Sequence, residues 1–193
     1  IGVFACLFGI SRIKPLQWIT KFYIWLIRGT PMLVQAFYIF FATPILLKMV
    51  FNADIRIDVF TASLITLTLN AGVYMSEIFR GAIESVNKGQ MEAARSVGMT
   101  YWQAMFHIIL PQAFRRMLPP LGNNAIAILK DSSLVSAIGL AELAYAARTV
   151  AGATARYWEP YITISLMYWV MTLGLAYLVK KMEQRLGKGD DNR

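Results

Sequence analysis

The chain has 193 residues, 57% of them hydrophobic, with a mean hydropathy of +0.50 and 19 Lys+Arg against 11 Asp+Glu for a formal charge of +8. That is one domain's worth of chain, and so apolar a composition points to a membrane protein and away from a soluble globule. Basic residues lie between apolar stretches and not on one soluble face, which argues against a nucleic-acid partner, and a lone Cys6 excludes an intrachain disulfide and a cysteine-based zinc site.

Residues 1–10 are apolar but too few to cross a bilayer, which takes about 20 apolar residues. With no Met and no charged leader before them, residues 1–12 read as the end of a first span whose beginning lies upstream. Arg12, Lys14 and Pro15 follow. Over 15–28, Gln17, Lys21 and Arg28 share one helical stripe opposite Trp18, Phe22 and Trp25, the pattern of a helix lying in the interface or of a cytoplasmic extension of the next span.

A span over 30–47 is expected to open with Thr30 as N-cap and Pro31 at the first helical position. After the polar turn 52–58 comes a span over 59–79, with Thr66, Asn70, Val73 and Glu77 on a stripe that must face protein or a cavity. Glu77, three residues from Arg80, reads as a structural ion pair.

The segment 86–117 is amphipathic where its neighbours are apolar. A first short helix, about 90–97, carries Glu92 in its first turn, where a carboxylate favours the helix N-terminus, and Arg95 on the same polar side. Gly98 permits a turn. A second helix has Thr100 as N-cap and Gln103 at capping-box spacing, with Trp102, Met105, Phe106, Ile109 and Leu110 on one apolar face. Pro111 is expected to break it. Leu118-Pro119-Pro120 then restarts the chain into a span over 121–147, on which Asn124, Ile128, Asp131, Val135, Ile138 and Glu142 form one stripe. Residues 148–159 are a polar connection. The last span, 160–179, has no charge and reaches ~30 Å, and 180–193 is a basic tail.

Arg12, Lys14, Lys21 and Arg28 fall in one connection, Arg80, Lys88, Arg95, Arg115 and Arg116 around the amphipathic loop, and Lys180, Lys181, Arg185, Lys188 and Arg193 in the tail. Only Lys48, Arg56, Arg148 and Arg156 fall on the other side, with Lys130 between. The richer side is cytoplasmic, which puts the loop and the C-terminus in the cytoplasm.

Glu92-Ala93-Ala94, three residues, Gly98, nine residues, then Ile108 and Leu110-Pro111 resembles the EAA loop of ABC-importer permeases. Arg28-Gly29-Thr30-Pro31, Glu77-Ile78-Phe79-Arg80-Gly81-Ala82 and Lys130-Asp131-Ser132-Ser133-Leu134 sharpen the likeness, from about Arg28 to the C-terminus, to the polar-amino-acid permeases of the histidine, glutamine, arginine, glutamate and cystine uptake systems. The resemblance implies an all-α, type I ABC-importer-like membrane permease of about five spans, the first truncated, with a cytoplasmic coupling helix. It further implies two separate ABC ATPase subunits that hold ATP and Mg, a second identical or similar permease chain, an extracytoplasmic amino-acid-binding protein, and a bacterial inner membrane. In such a subunit Glu92, Ala93, Ala94, Arg95 and Gly98 make the ATPase-coupling site, with the two alanines allowing close backbone approach.

No catalytic motif is present. A Gly-x4-Gly-Lys-Ser/Thr loop is absent, so the chain is not its own ATPase, and the sole His107, on a short helix, reads as an interfacial residue. Asn70, Asn124, Lys130, Asp131, Ser132 and Glu142 are candidates for a polar translocation route. Asp131 and Lys130 would meet an amino acid's ammonium and carboxylate groups, or else form a structural pair. An ion-coupled carrier or channel would use the same stripes but gives no reason for the amphipathic loop. A membrane-embedded enzyme would rest on Asp131, Glu77 and Glu142.

Overall fold

A computed structural model describes residues 1–11 and 13–187; Arg12 and the tail positions Lys188 and Arg193 lie outside the described residues. Along the chain run α1 (Gly2–Ile10), α2 (Lys14–Gly29), α3 (Met32–Phe37), α4 (Thr43–Phe51), α5 (Val59–Glu84) and α6 (Lys88–Ser96). They are followed by α7 (Tyr101–Ala104), α8 (Leu110–Asp131), α9 (Leu143–Thr154) and α10 (Trp158–Gly187). No strand occurs among the described residues.

Two short π-helical turns carry helices past prolines. Tyr38–Ala42 joins α3 to α4, giving one 20-residue apolar helix over Met32–Phe51. Met105–Ile109 joins α7 to α8. Each turn ends two residues before a proline, Pro44 or Pro111. A proline in a regular helix clashes with the carbonyl four residues back and leaves it without a donor. Here the preceding residue bonds five back instead, Thr43 N–H to Tyr38 O and Leu110 N–H to Met105 O, and the widened turn admits the ring. Pro111 therefore does not end the helix, contrary to expectation. Pro119 and Pro120 do not restart it either, since both lie inside α8. The carbonyls they free belong to Arg115 and Arg116, which are exposed.

The expected span 121–147 is two helices and not one. After α8, Ser132–Ile138 tightens to a 3₁₀ helix, and Gly139 takes φ +97°. Gly139 N–H bonds Ser136 O at 3.0 Å and Leu140 N–H bonds Val135 O at 3.4 Å, a Schellman stop with its apolar contact between Leu140 and the buried Val135. Thr30 also departs from expectation. Its hydroxyl donates back to Leu26 O at 2.9 Å, and Pro31 occupies the N-cap position of α3. The corner is held by Gln35, whose Nε2 donates to Ile27 O at 2.8 Å and to Thr30 O at 2.9 Å.

α5 is the hub, packing on α1, α2, α3 and α8. Its inward positions are small: Ala62, Ser63, Thr66, Gly72, Val73, Ser76 and Ala82 are buried. The three hydroxyls donate to carbonyls on their own helix at 2.7 Å, so they enter an apolar interface with no unmet donor. Thr66 and Val73 of the expected stripe thus face protein. α5 begins at Asp58, whose carboxylate accepts from Thr61 N at 3.0 Å, and runs to Glu84, five residues past the expected end of its span. Three described helices are long and apolar enough to cross a membrane: Met32–Phe51, Val59–Glu84 and Trp158–Arg185. α1 alone is too short, and α8 carries Arg115, Arg116, Lys130 and Asp131.

Candidate functional site

The loop between α5 and α8 is a small folded unit. Asn87 caps α6 by accepting from Gly89 N at 2.8 Å, so this helix starts earlier than its apolar pattern suggests. Glu92 consequently stands in the second turn and not the first, and the expected charge–dipole role falls away. Its carboxylate is exposed and enters no ion pair among the described residues. α6 ends in a second Schellman stop. Gly98 sits at φ +89°, its N–H bonding Arg95 O at 3.1 Å, while Met99 N–H bonds Ala94 O at 3.1 Å. A capping box opens α7: Thr100 Oγ1 accepts from Gln103 N at 3.3 Å, and Gln103 Oε1 accepts from Thr100 N at 2.8 Å. The turn and the box stand as the sequence implied.

Ala82 and Val86 pack against Ile109, Ala113 and Met117, with Met91 and Met105 alongside, and bind the loop to the ends of α5 and α8. Arg116 Nη1 donates to Ser85 O, closing the base of the unit. The two alanines split in role. Ala94 is buried against this small core, whereas Ala93 is exposed beside Glu92. The apolar face of the second helix splits too, because the π turn rotates the residues that follow it. Ile109 turns inward, while Trp102 (65% exposed) and Phe106 stack outward with ring centroids 6.0 Å apart. Val97, at the turn, is 79% exposed. Glu92, Ala93, Val97, Trp102 and Phe106 thus give the projection an acidic and aromatic outer surface. His107 is exposed, with Nδ1 2.9 Å from Gln103 O.

The residues proposed for a polar route are not all brought together. Asn124, on α8, is half-buried, and its Nδ2 lacks a partner among the described residues. Asn70, half-buried, lies on α5, the neighbour of α8. Lys130 is exposed at the last turn of α8, and Asp131, half-buried, is its last residue; they form no ion pair with each other. Ser132 Oγ donates to Leu129 O at 2.7 Å. Glu142 leaves the stripe altogether, because the stop at Gly139 separates it from α8. It caps α9, with Oε1 accepting from Tyr145 N at 2.8 Å and Oε2 from the Tyr168 hydroxyl at 2.9 Å, and so ties α9 to α10. Glu77 is indeed in an ion pair, with Arg80 at 2.8 Å, in a network that also holds Glu84 at 2.8 Å and Arg28 of α2 at 3.9 Å. Arg28 is the member sequence reasoning missed, since nothing local links α2 to α5.

Apolar helices long enough to cross a membrane, packed around α5 and carrying an amphipathic projection between α5 and α8, are the frame of a membrane protein. Residues 1–188 match the family described as binding-protein-dependent transport system inner membrane component. The chain is 40% identical over 188 residues to the probable glutamine ABC transporter permease protein GlnM of Bacillus subtilis, covering 97% of this chain and 84% of that protein. It is 42% identical over 164 residues to the glutamine transport system permease protein GlnP of Escherichia coli (85% of this chain, 73% of the other). It is also 37% identical over 190 residues to the arginine transport system permease protein ArtQ of B. subtilis (98% and 84%). The crystal structure of an amino acid ABC transporter with histidines superposes with TM-score 0.87 at 43% identity, covering 95% of this chain and 83% of that one. The methionine transporter MetNI, in an inward-facing form, shares the fold at 15% identity, with TM-score 0.72 over 96% of this chain and 83% of that one. The chain belongs to the binding-protein-dependent inner membrane component family and is a permease subunit of a polar-amino-acid ABC importer.

Proposed function

We propose that this subunit moves a polar amino acid inward across a bacterial inner membrane by alternating access, driven by two separate ATPase subunits that engage α6 and α7 from the cytoplasm. A second permease chain completes the path, and an extracytoplasmic binding protein delivers the amino acid. ATP and Mg reside on the ATPases, and the C-terminus of this chain lies on their side of the membrane.

One observation carries the reading. Residues 101–131 form a single helix through the π turn, so the projecting Trp102 and the half-buried Asn124 and Asp131 stand on the same rod, ~45 Å long. A push on the projection is transmitted along that rod and, through the packed ends of α5 and α8, to the hub helix. The Gly98 stop and the Thr100 box make the projection stiff, which a lever requires. Glu92, exposed and unpaired among the described residues, suits a basic partner, and Ala93 leaves room for close approach. Asn70, Asn124, Lys130, Asp131 and Ser132 remain the route residues, and the buried Asn124 Nδ2 is a donor without a partner among the described residues.

The experiment is ATPase activity of the chain reconstituted with its ATPase and its binding protein, loaded in turn with each of a panel of polar amino acids. Stimulation by one loaded amino acid, lost on Glu92→Lys, is expected. Activity indifferent to the whole panel, or uptake that continues without ATP, would give the transport step to an ion-coupled mechanism instead.

A further inference from the structure

Helix α2 has two faces of opposite character. Thr20 and Ile27 are buried, and the Tyr23 hydroxyl donates to Leu69 O of α5 at 2.5 Å, so one face is bound to the protein. The opposite face is exposed. Trp18 is 74% exposed and Trp25 is 70% exposed, with Phe22 between them and its ring 6.1 Å from that of Trp25. Lys14, Lys21 and Arg28, at i, i+7 and i+14, form a row alongside this aromatic stripe and not opposite it as the sequence pattern suggests, and all three are exposed. Residues 1–53 contain no Asp or Glu, so no acid on or near α2 in sequence offsets that row. Arg28 is half committed to Glu77 at 3.9 Å, whereas Lys14 and Lys21 enter no ion pair among the described residues.

We propose that the outer face of α2 is a binding surface for anionic phospholipid, with Trp18, Phe22 and Trp25 seated at the headgroup boundary and Lys14 and Lys21 on the lipid phosphates. A 16-residue helix with Lys21 at its middle does not cross the hydrocarbon, and α2 is not among the helices long and apolar enough to do so. Tryptophan beside lysine is the composition of the water–hydrocarbon boundary. A protein partner would find no small side chain among the exposed residues from Lys14 to Arg28 on which helices could approach closely, and no acid to pair with its own basic groups. An anionic headgroup layer satisfies both the row of cations and the aromatic stripe, at ~1 kcal/mol, or roughly fivefold in local concentration, for each lysine near the surface. Because α2 packs on the hub helix, such lipid would steady the α2–α5 contact. The inference stands apart from the coupling role proposed for α6 and α7.

The test uses the full chain in vesicles of phosphatidylcholine with 20% phosphatidylglycerol, with bromine atoms carried on one lipid or the other. Quenching assigned to Trp18 and Trp25 is the difference between the wild-type chain and Trp18→Phe/Trp25→Phe. At equal mole fraction, brominated phosphatidylglycerol is expected to quench this component several-fold more than brominated phosphatidylcholine. The preference should vanish in Lys14→Gln/Lys21→Gln and return in Lys14→Arg/Lys21→Arg, which retains the charge. Equal quenching by both lipids in the wild type overturns the proposal. So does a preference that persists in the glutamine variant, or tryptophans that neither lipid reaches, the outcome if a protein covers this face.

Discussion

α5 and α10 are both long apolar helices, yet they are built for different surroundings. A third of the most apolar stretch of α5 (33%) is buried within the chain, against 6% for that of α10. The difference lies in side-chain size. α5 turns Ala62, Ser63, Thr66, Gly72, Val73 and Ser76 inward, and backbones close on it from four helices. α10 presents Trp158, Trp169, Val170 and Tyr177 outward and packs chiefly on α8 and α9. It comes close to α8 at Gly122, where an added Cβ would fall 2.5 Å from Val179 Cγ2. One helix is therefore the axle of the subunit, and the other is a surface for whatever surrounds it. Hydropathy alone does not show this difference, since both helices are apolar enough to cross a membrane, at mean hydropathies of 1.3 and 1.8.

The sharpest way to break that comparison is to load both helices with the same substitution. At Gly72 an added Cβ would sit 2.7 Å from Ile1 Cγ2 and 2.8 Å from the Tyr23 hydroxyl oxygen, while at Gly174 nothing lies within 4 Å. Gly72→Leu is expected to cost about 1–3 kcal/mol and to lower the thermal midpoint in detergent. Gly174→Leu should stay within about 0.5 kcal/mol of wild type. Equal effects at the two positions would dissolve the distinction between axle and surface.

A smaller effect sharpens the outer side of the comparison. Glu142 links the start of α9 to Tyr168 of α10. Glu142→Ala should cost about 1–2 kcal/mol by loss of the cap and its tie, leaving the apparent affinity for the transported amino acid unchanged. A marked affinity change with intact stability would return Glu142 to the translocation route.

The smallest effect is at the mouth of α5. The Asp58 carboxyl is held below its ordinary range, first by the hydrogen bond from the Thr61 hydroxyl and next by that from the Thr61 backbone N–H. A depressed folded-state pKa contributes stability above the unfolded pKa and loses it as pH falls through the folded one. A thermal midpoint followed downward from about pH 5 should therefore decline as pH passes below the ordinary carboxylate range of about 4. Asp58→Asn should flatten that part of the profile, and an identical slope in the variant would remove Asp58 from the account.

What the sequence made legible was local. The Thr100–Gln103 box and the Gly98 turn depend on residues a few places apart, and both read correctly. The Glu77–Arg80 pair did too, being one helical turn in length. The errors arose where a local rule was overruled by a neighbouring adjustment. Pro111 would break an ordinary helix, but the π turn just ahead of it lets the helix pass. Gly139 stops a helix that apolar periodicity carries through, although the Ile138-Gly139-Leu140 run, with Val135 behind it, was the available signal. The split of the Trp102 face, the inward turn of Ala94 and the reach of Arg28 to Glu77 all follow from those two adjustments or from packing between distant helices. No spacing rule reports either.

The central claim is that the projection between α5 and α8 works as a stiff lever, and Gly98 is where that stiffness is set. Its φ of +89° is open to glycine and strained for any other residue, while the space around it is empty, so a side chain there perturbs the turn without a clash. The most direct measurement is the number of ATP molecules hydrolysed per amino acid taken up, in proteoliposomes carrying Gly98→Val beside the wild type. The account predicts that the variant inserts and that the assembly still hydrolyses ATP, with the ratio rising roughly tenfold or more for about 1.4 kcal/mol of lost coupling. An unchanged ratio with full uptake would contradict it.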